Sequence, residues 1–175
     1  DAVDFQPTHR VLDFGAGTGL VGAKLAPLVD RIHAVDISES MLQQLAQKPE
    51  LQGKVDVHCQ DILQRPLDVQ VDVIVSAMAM HHVDDTAALL QTLFNHLAPG
   101  GQVALADLDA EDGTFHPEGI EGVFHHGFDR DALQALLGDA GFVDVHFRTA
   151  CEVHKDERAY PVFVVHATRP ANGRS

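Results

Sequence analysis

Apolar residues along this chain fall into short continuous runs, separated by longer stretches in which they recur every three or four positions. Continuous runs suit strands covered on both faces and the wider spacing suits amphipathic helices, so the pattern predicts alternating β and α elements around a parallel sheet. Residues 10–14 read as the first strand, and residues 19–28 as a helix with Val21, Leu25 and Leu28 on one face and Pro27 near its end. Residues 31–35 make the second strand, closed by Asp36. Ser38 then caps a helix whose Met41, Leu42, Leu45 and Ala46 face inward, and Pro49 marks its end.

Residues 55–59 are a third strand, and residues 71–77, nearly all apolar, suit the middle of the sheet. A helix over 84–97 follows, with Leu89, Leu90, Leu93, Phe94 and Leu97 sharing a face, and Pro99-Gly100-Gly101 ends it ahead of a strand at 102–108. Residues 109–128 form a long, glycine-punctuated loop. Asp129 caps a helix that carries Leu133, Leu136 and Leu137 and stops at Gly141. Two strands, 143–149 and 160–168, close the chain with no helix between them, so they are expected to be antiparallel. The expectation is an α/β, Rossmann-like, doubly wound seven-stranded sheet. It is mostly parallel with an antiparallel C-terminal hairpin strand, in one domain over residues 1–175.

A formal charge of −14 repels phosphate backbones, and the chain has no basic run, so a nucleic-acid substrate is not expected. No apolar run approaches membrane-spanning length. Cys59 and Cys151 stand alone in strand-like stretches, which suggests neither a disulfide framework nor a zinc ribbon and fits a reducing cytoplasm. The chain opens on Asp1 rather than methionine, so upstream sequence is expected to have been removed.

The stretch with most chemistry is Val11-Leu12-Asp13-Phe14-Gly15-Ala16-Gly17-Thr18-Gly19-Leu20, a strand that runs through alternate glycines into a helix. Such glycines let a ligand lie against backbone N–H groups at a helix mouth. Asp13 repels a pyrophosphate but attracts a cation, and S-adenosylmethionine (SAM) carries both a sulfonium and an ammonium. A nicotinamide dehydrogenase is the rival enzyme reading, but its fingerprint spaces the glycines G-x-G-x-x-G, unlike Gly15, Gly17 and Gly19. Asp36, Asp61, Ser76 to Met78 and Asp107 to Asp109 also fall at predicted strand ends. Any one aspartate there serves a turn for local reasons, yet their recurrence at one sheet edge marks the edge where open α/β sheets bind ligands.

These residues resemble a family. VLDFGAGTGL, AVDIS, CQDIL, VDVIVSAMAMHHVDD and LAPGGQVALADLD resemble, in order, the motifs of class I SAM-dependent methyltransferases of the small-molecule type that includes the ubiquinone and menaquinone biosynthesis enzymes. The resemblance implies that Asp13 holds the methionyl amine of SAM, with Gly15, Ala16, Gly17 and Gly19 against the methionyl and ribose parts. It implies that Asp36 accepts the ribose hydroxyls, with Ile37 and Met41 against the adenine, that Asp61 reads the adenine amino group and that Ile62 covers its other face. Ala77 and Met78 offer backbone to the amino-acid moiety, and His81 or His82 closes the pocket. S-adenosylhomocysteine (SAH) is the implied product. Family members usually carry lid helices ahead of the first strand, a segment absent from residues 1–9.

Five of the twelve histidines, His81, His82, His116, His125 and His126, fall near the predicted active edge. Adjacent pairs are not the i, i+4 spacing of a helical metal site and no cysteine accompanies them, so no metal is expected. General-base work on a hydroxyl or amine acceptor is the chemical role open to His82, His125 and His126. The 109–128 loop, with Phe115 and Phe124 among its histidines, is expected to be a lid over a small-molecule acceptor. A non-catalytic SAM-binding protein is the alternative.

Overall fold

A computed structural model describes residues 3–117 and 119–171. Seven strands form one sheet: β1 Arg10–Phe14, β2 Arg31–Asp36, β3 Val55–Cys59, β4 Val71–Ala77, β5 Leu97–Leu108, β6 Val143–Lys155 and β7 Arg158–Thr168. Their order is β3-β2-β1-β4-β5-β7-β6, parallel through β5, with β7 antiparallel to both β5 and β6. The order reverses between β1 and β4, and their carboxyl ends therefore open on the crevice where such sheets take their ligands.

Alternate side chains of the strands feed two cores. On one face Val11, Ile32, Ala34, Val73 and Val75 pack with Leu25 of α1 (Leu20–Leu25) and Leu42 and Leu45 of α2 (Glu39–Ala46). On the other, Leu12, Ile74, Leu105 and Phe163 pack with Leu89, Leu90 and Leu93 of α3 (Thr86–His96) and Leu133 and Leu137 of α4 (Arg130–Ala140). Each such buried aliphatic or aromatic side chain stabilises the fold by about 1.5 to 3 kcal/mol before entropy is counted. Three helices begin on side-chain caps that relieve unpaired backbone N–H groups: Ser38 Oγ accepts from Met41, Asp85 Oδ1 from Ala88 and Asp129 Oδ1 from Ala132.

The structure corrects several boundaries. α1 stops at Leu25 and continues as a short 3-10 turn, Ala26–Leu28, because Pro27 lacks an N–H; Leu28 is exposed rather than inward. In α2 only Leu42 and Leu45 are buried, while Met41 and Ala46 face out. β5 begins at Leu97 instead of residue 102, since Gly100 and Gly101 pair with the backbone of Arg169 and its guanidinium donates to the carbonyls of Phe94 and Leu97 that end α3. The closing hairpin is also longer than expected. Asp156 and Glu157 both take positive φ (51° and 65°) and form the two-residue turn that joins β6 to β7.

Candidate functional site

The glycine loop follows β1 at the crevice. Gly15, Gly17 and Gly19 have φ of 68°, 56° and 87°, the left-handed region that side chains avoid. The N–H groups of Gly15 and Ala16 both donate to the Val35 carbonyl, which ties the loop to the end of β2, and Ala16 is itself buried. Gly17 N–H donates to Asp36 Oδ2 at 2.8 Å and Ser38 N–H to Asp36 Oδ1 at 3.0 Å. Two backbone donors therefore fix the Asp36 carboxylate, and each oxygen keeps a lone pair for a further donor such as a diol.

Asp13 is 2% exposed, and among the described residues no donor reaches its carboxylate. Burial, and after it the nearby Asp36, pushes its pKa up from the ordinary 3.8 to about 7. A desolvated carboxylate without a partner at the mouth of a ligand crevice favours a cation. Gly22, in the first turn of α1, lies beside it: a Cβ there would be 3.9 Å from Asp13 Oδ2.

Ile37 (77% exposed) and Met41 (45%) are large apolar residues left open beside Asp36 and the loop, and the Met41 sulfur lies against Gly17. Their exposure makes an apolar surface for a flat ring. Asp61 is exposed, with Oδ1 accepting from Leu63 N–H. Ile62 departs from expectation: its side chain is 1% exposed and packs within the α3/α4 core rather than standing open to a ligand. Ala77 is exposed at the end of β4, and Met78 takes φ 60°, a strained conformation for a non-glycine, while its N–H donates to Ala106.

The histidines separate by their hydrogen bonds. His125 Nε2 lies 2.9 Å from the Val83 carbonyl and 3.1 Å from that of Asp84, which fastens the 109–128 loop to the segment before α3 and commits that nitrogen to donation. His126 is largely exposed, 3.6 Å from Glu111 Oε1. His82 donates from Nδ1 to the Gly122 carbonyl at 2.8 Å and leaves Nε2 open. His81 is buried, and its Nδ1 sits 2.9 Å from Asp107 Oδ1. Nothing in the sequence joins His81 to Asp107, although Asp107 stands among the strand-end acids. Three side-chain atoms among the described residues are sealed from solvent as well as unpartnered: Ser76 Oγ, Glu111 Oε1 and His116 Nε2.

The loop itself is ordered by its neighbours. Its ends pair, with Phe128 N–H donating to Leu108 and Ala110 N–H to Phe128, while Glu111 Oε2 accepts from Gly113 and Thr114. Phe115 meets Tyr160 edge-on at 5.1 Å, the Thr114 and Tyr160 hydroxyls are 2.6 Å apart, and Lys155 donates to the Phe115 carbonyl. Among the described residues no group of histidine, cysteine and acidic side chains is arranged to hold a metal ion.

Fold and crevice together are those of an open α/β sheet with a glycine loop at its switch point. Residues 11–101 match the family model described as a methyltransferase domain. An uncharacterized methyltransferase of Schizosaccharomyces pombe is 30% identical over 86% of this chain and 60% of its own length. The tRNA 5-carboxymethoxyuridine methyltransferase of Escherichia coli is 33% identical over 61% of this chain and 43% of its own. Among solved structures, the Haemonchus contortus phosphoethanolamine N-methyltransferase 2 in complex with phosphomonomethylethanolamine and SAH superposes with a TM-score of 0.78 at 16% identity, covering 95% of this chain and 50% of that one. The chain thus spans about three fifths or less of the curated relatives it matches. It belongs to the methyltransferase domain family, whose methyl donor is SAM.

Proposed function

We propose that the chain transfers the methyl group of SAM to a small-molecule acceptor, with residues 1–175 as one SAM-binding domain. The observation that carries this is Asp13: a buried carboxylate without a donor, its pKa raised to about 7, beside three left-handed glycines. Such a group gains most from a cationic ligand, since a fixed positive charge restores what burial costs. In this reading Asp13 faces the methionyl ammonium, and Gly15, Ala16, Gly17 and Gly19 lie along the methionyl and ribose parts. Asp36 accepts the ribose hydroxyls, Ile37 and Met41 lie against the adenine, and Asp61 with the Ile62 backbone reads its edge. Ala77 and Met78 offer backbone to the amino-acid end.

The sulfonium supplies an activated methyl and a neutral leaving group. The protein's part is to align the acceptor with that methyl and to exclude water. The 109–128 loop supports a lid role, because Phe124 N–H donates to the His81 carbonyl and His82 to Gly122, which place the loop over the end of β4. A charge of −14 supports a small acceptor rather than RNA. A cytoplasmic setting is part of the same reading, supported by the exposed free thiols of Cys59 and Cys151.

Isothermal titration with SAM, SAH and NAD tests the reading. Binding of the first two and none of NAD is expected; the reverse would return the chain to the dehydrogenases. Methyl-labelled SAM offered with transfer RNA in one arm and a deproteinised metabolite extract in another separates the acceptor classes, and label entering RNA alone would overturn the small-molecule acceptor.

A further inference from the structure

Beside the end of β4 lies a pairing that the cofactor cradle does not use. Asp107 is wholly buried near the end of β5, and its carboxylate takes three contacts: Oδ2 from the His81 backbone N–H at 3.1 Å, Oδ1 from the Leu108 N–H at 2.8 Å, and Oδ1 again from His81 Nδ1 at 2.9 Å. Both carboxylate oxygens thus accept from backbone N–H groups, which sets Asp107 as an acceptor toward the ring as well. An ionised carboxylate only accepts, so the His81 proton sits on Nδ1 and Nε2 keeps its lone pair. The imidazole is thus held in one orientation and one tautomer, with its basic nitrogen on the side away from Asp107.

His81 is reached from three directions by ionisable groups. Asp107 comes from β5, His82 from the same turn with its ring centroid 4.1 Å away, and His116 from the 109–128 loop at 4.9 Å. Lys155 and Glu111 lie within electrostatic reach of His116. His116 Nε2 is buried without a partner, a polar atom left open on the loop that covers this end of the sheet. A lone unsatisfied ring nitrogen next to a held imidazole is costly unless a ligand or water completes it.

We propose that His81 is the general base of the transfer, with Asp107 as its positioning residue, and that the acceptor belongs to the protic class: its attacking atom is a hydroxyl oxygen or an ammonium nitrogen that must lose a proton. The proposal rests on the methyltransferase reading above. In either case one X–H bond breaks and its proton ends on His81 Nε2, one X–C bond forms, and the electron pair of the broken carbon–sulfur bond stays on sulfur. For a hydroxyl, the positive charge that leaves sulfur reappears on the imidazolium, where the Asp107 carboxylate is already in contact. The proton then leaves to solvent past the exposed His82 ring beside it. Acceptors whose attacking atom carries no proton at neutral pH, such as a thioether, have no use for this pair.

Ring-nitrogen NMR of the unliganded protein reads the first half. At neutral pH the wild type is expected to show His81 protonated on Nδ1 and bare on Nε2, and Asp107→Asn, whose amide can donate to Nδ1, to move the proton to Nε2. A wild-type ring protonated on Nε2 would overturn the proposal whether or not any variant folds. Methyl-labelled SAM with a deproteinised metabolite extract reads the second half. Wild type is expected to label small molecules at a rate that rises with pH to a plateau. His81→Gln is expected to lose about 100-fold or more, together with that pH limb, while it still binds SAM in calorimetry. Undiminished labelling by a folded His81→Gln overturns the base and leaves the methyltransferase reading standing. Wild type that binds SAM yet labels no small molecule overturns that reading, and this proposal with it.

Discussion

Gly15 and Ala79 touch across the crevice: a Cβ built on Gly15 would stand 2.3 Å from the Cβ of Ala79. The turn after β1 and the turn after β4 are therefore packed backbone against side chain where the strand order reverses. Gly15→Ala adds both this clash and a left-handed residue with a side chain, so it is expected to cost more than about 1 kcal/mol of stability. Gly17→Ala shares the unfavourable φ, but its Cβ meets nothing closer than 3.8 Å, so it is expected to be milder. Chemical denaturation of the two variants checks the order, and equal losses would remove the Gly15–Ala79 contact from the account.

Asp13 makes stability and ligand affinity depend on pH in opposite senses. Its pKa is about 7 in the folded chain against 3.8 ordinarily, so the folded state holds the proton more tightly than the unfolded one. Its contribution to stability is intact below pH 4 and is lost as pH rises through 7, which amounts to a few kcal/mol. The free protein is expected to melt at a higher temperature near pH 5.5 than near pH 8, and Asp13→Asn to flatten that difference. A cation at Asp13 prefers the ionised form, so SAM affinity is expected to rise from pH 6 to pH 8 with release of a proton. Calorimetry in buffers of different ionisation enthalpy detects that proton.

Asp36 is the most direct test of the cradle. Replacement by Ala removes an acceptor for Gly17 and Ser38 and whatever it offers a diol, and SAM affinity is expected to fall by about 1 to 3 kcal/mol. Circular dichroism controls for the fold. Unchanged affinity in a folded variant takes Asp36 out of the site.

Much of this was legible in the sequence because the signals were local. Strand β4 is a nearly all-apolar run, α4 has a capping aspartate and a terminal glycine, and the glycine loop follows its strand directly. Met41 was misplaced on the inward face of α2 because helical spacing cannot distinguish a core residue from one held at the surface beside Gly17. The Asp156-Glu157 turn was missed because neither residue is the asparagine or glycine that usually signals it. His81 and Asp107 are 26 residues apart, and only the parallel pairing of β4 with β5 brings them together. Long-range partners of this kind leave no period in a chain, and two adjacent histidines gave no sign of which one would be buried.

The neck of the 109–128 loop is closed by Gly127. Gly127 has φ 77°, and a Cβ there would fall 2.0 Å from the Asp109 carbonyl oxygen, so no side chain fits without opening the paired ends of the loop. Glu111 N–H donates to His126 and Phe128 N–H to Leu108 on either side of it. Gly127→Ala is therefore expected to loosen the loop while β1 and β2, which carry the cradle, stay in place. Limited proteolysis and hydrogen exchange should show faster opening between residues 111 and 127. SAM affinity should shift by less than about 0.5 kcal/mol, because the change lies outside the cradle. Transfer to acceptor should fall far more than that, since a lid that no longer closes fails to exclude water. Loss of SAM binding with the transfer rate at saturating SAM preserved would place the loop on the cofactor side instead.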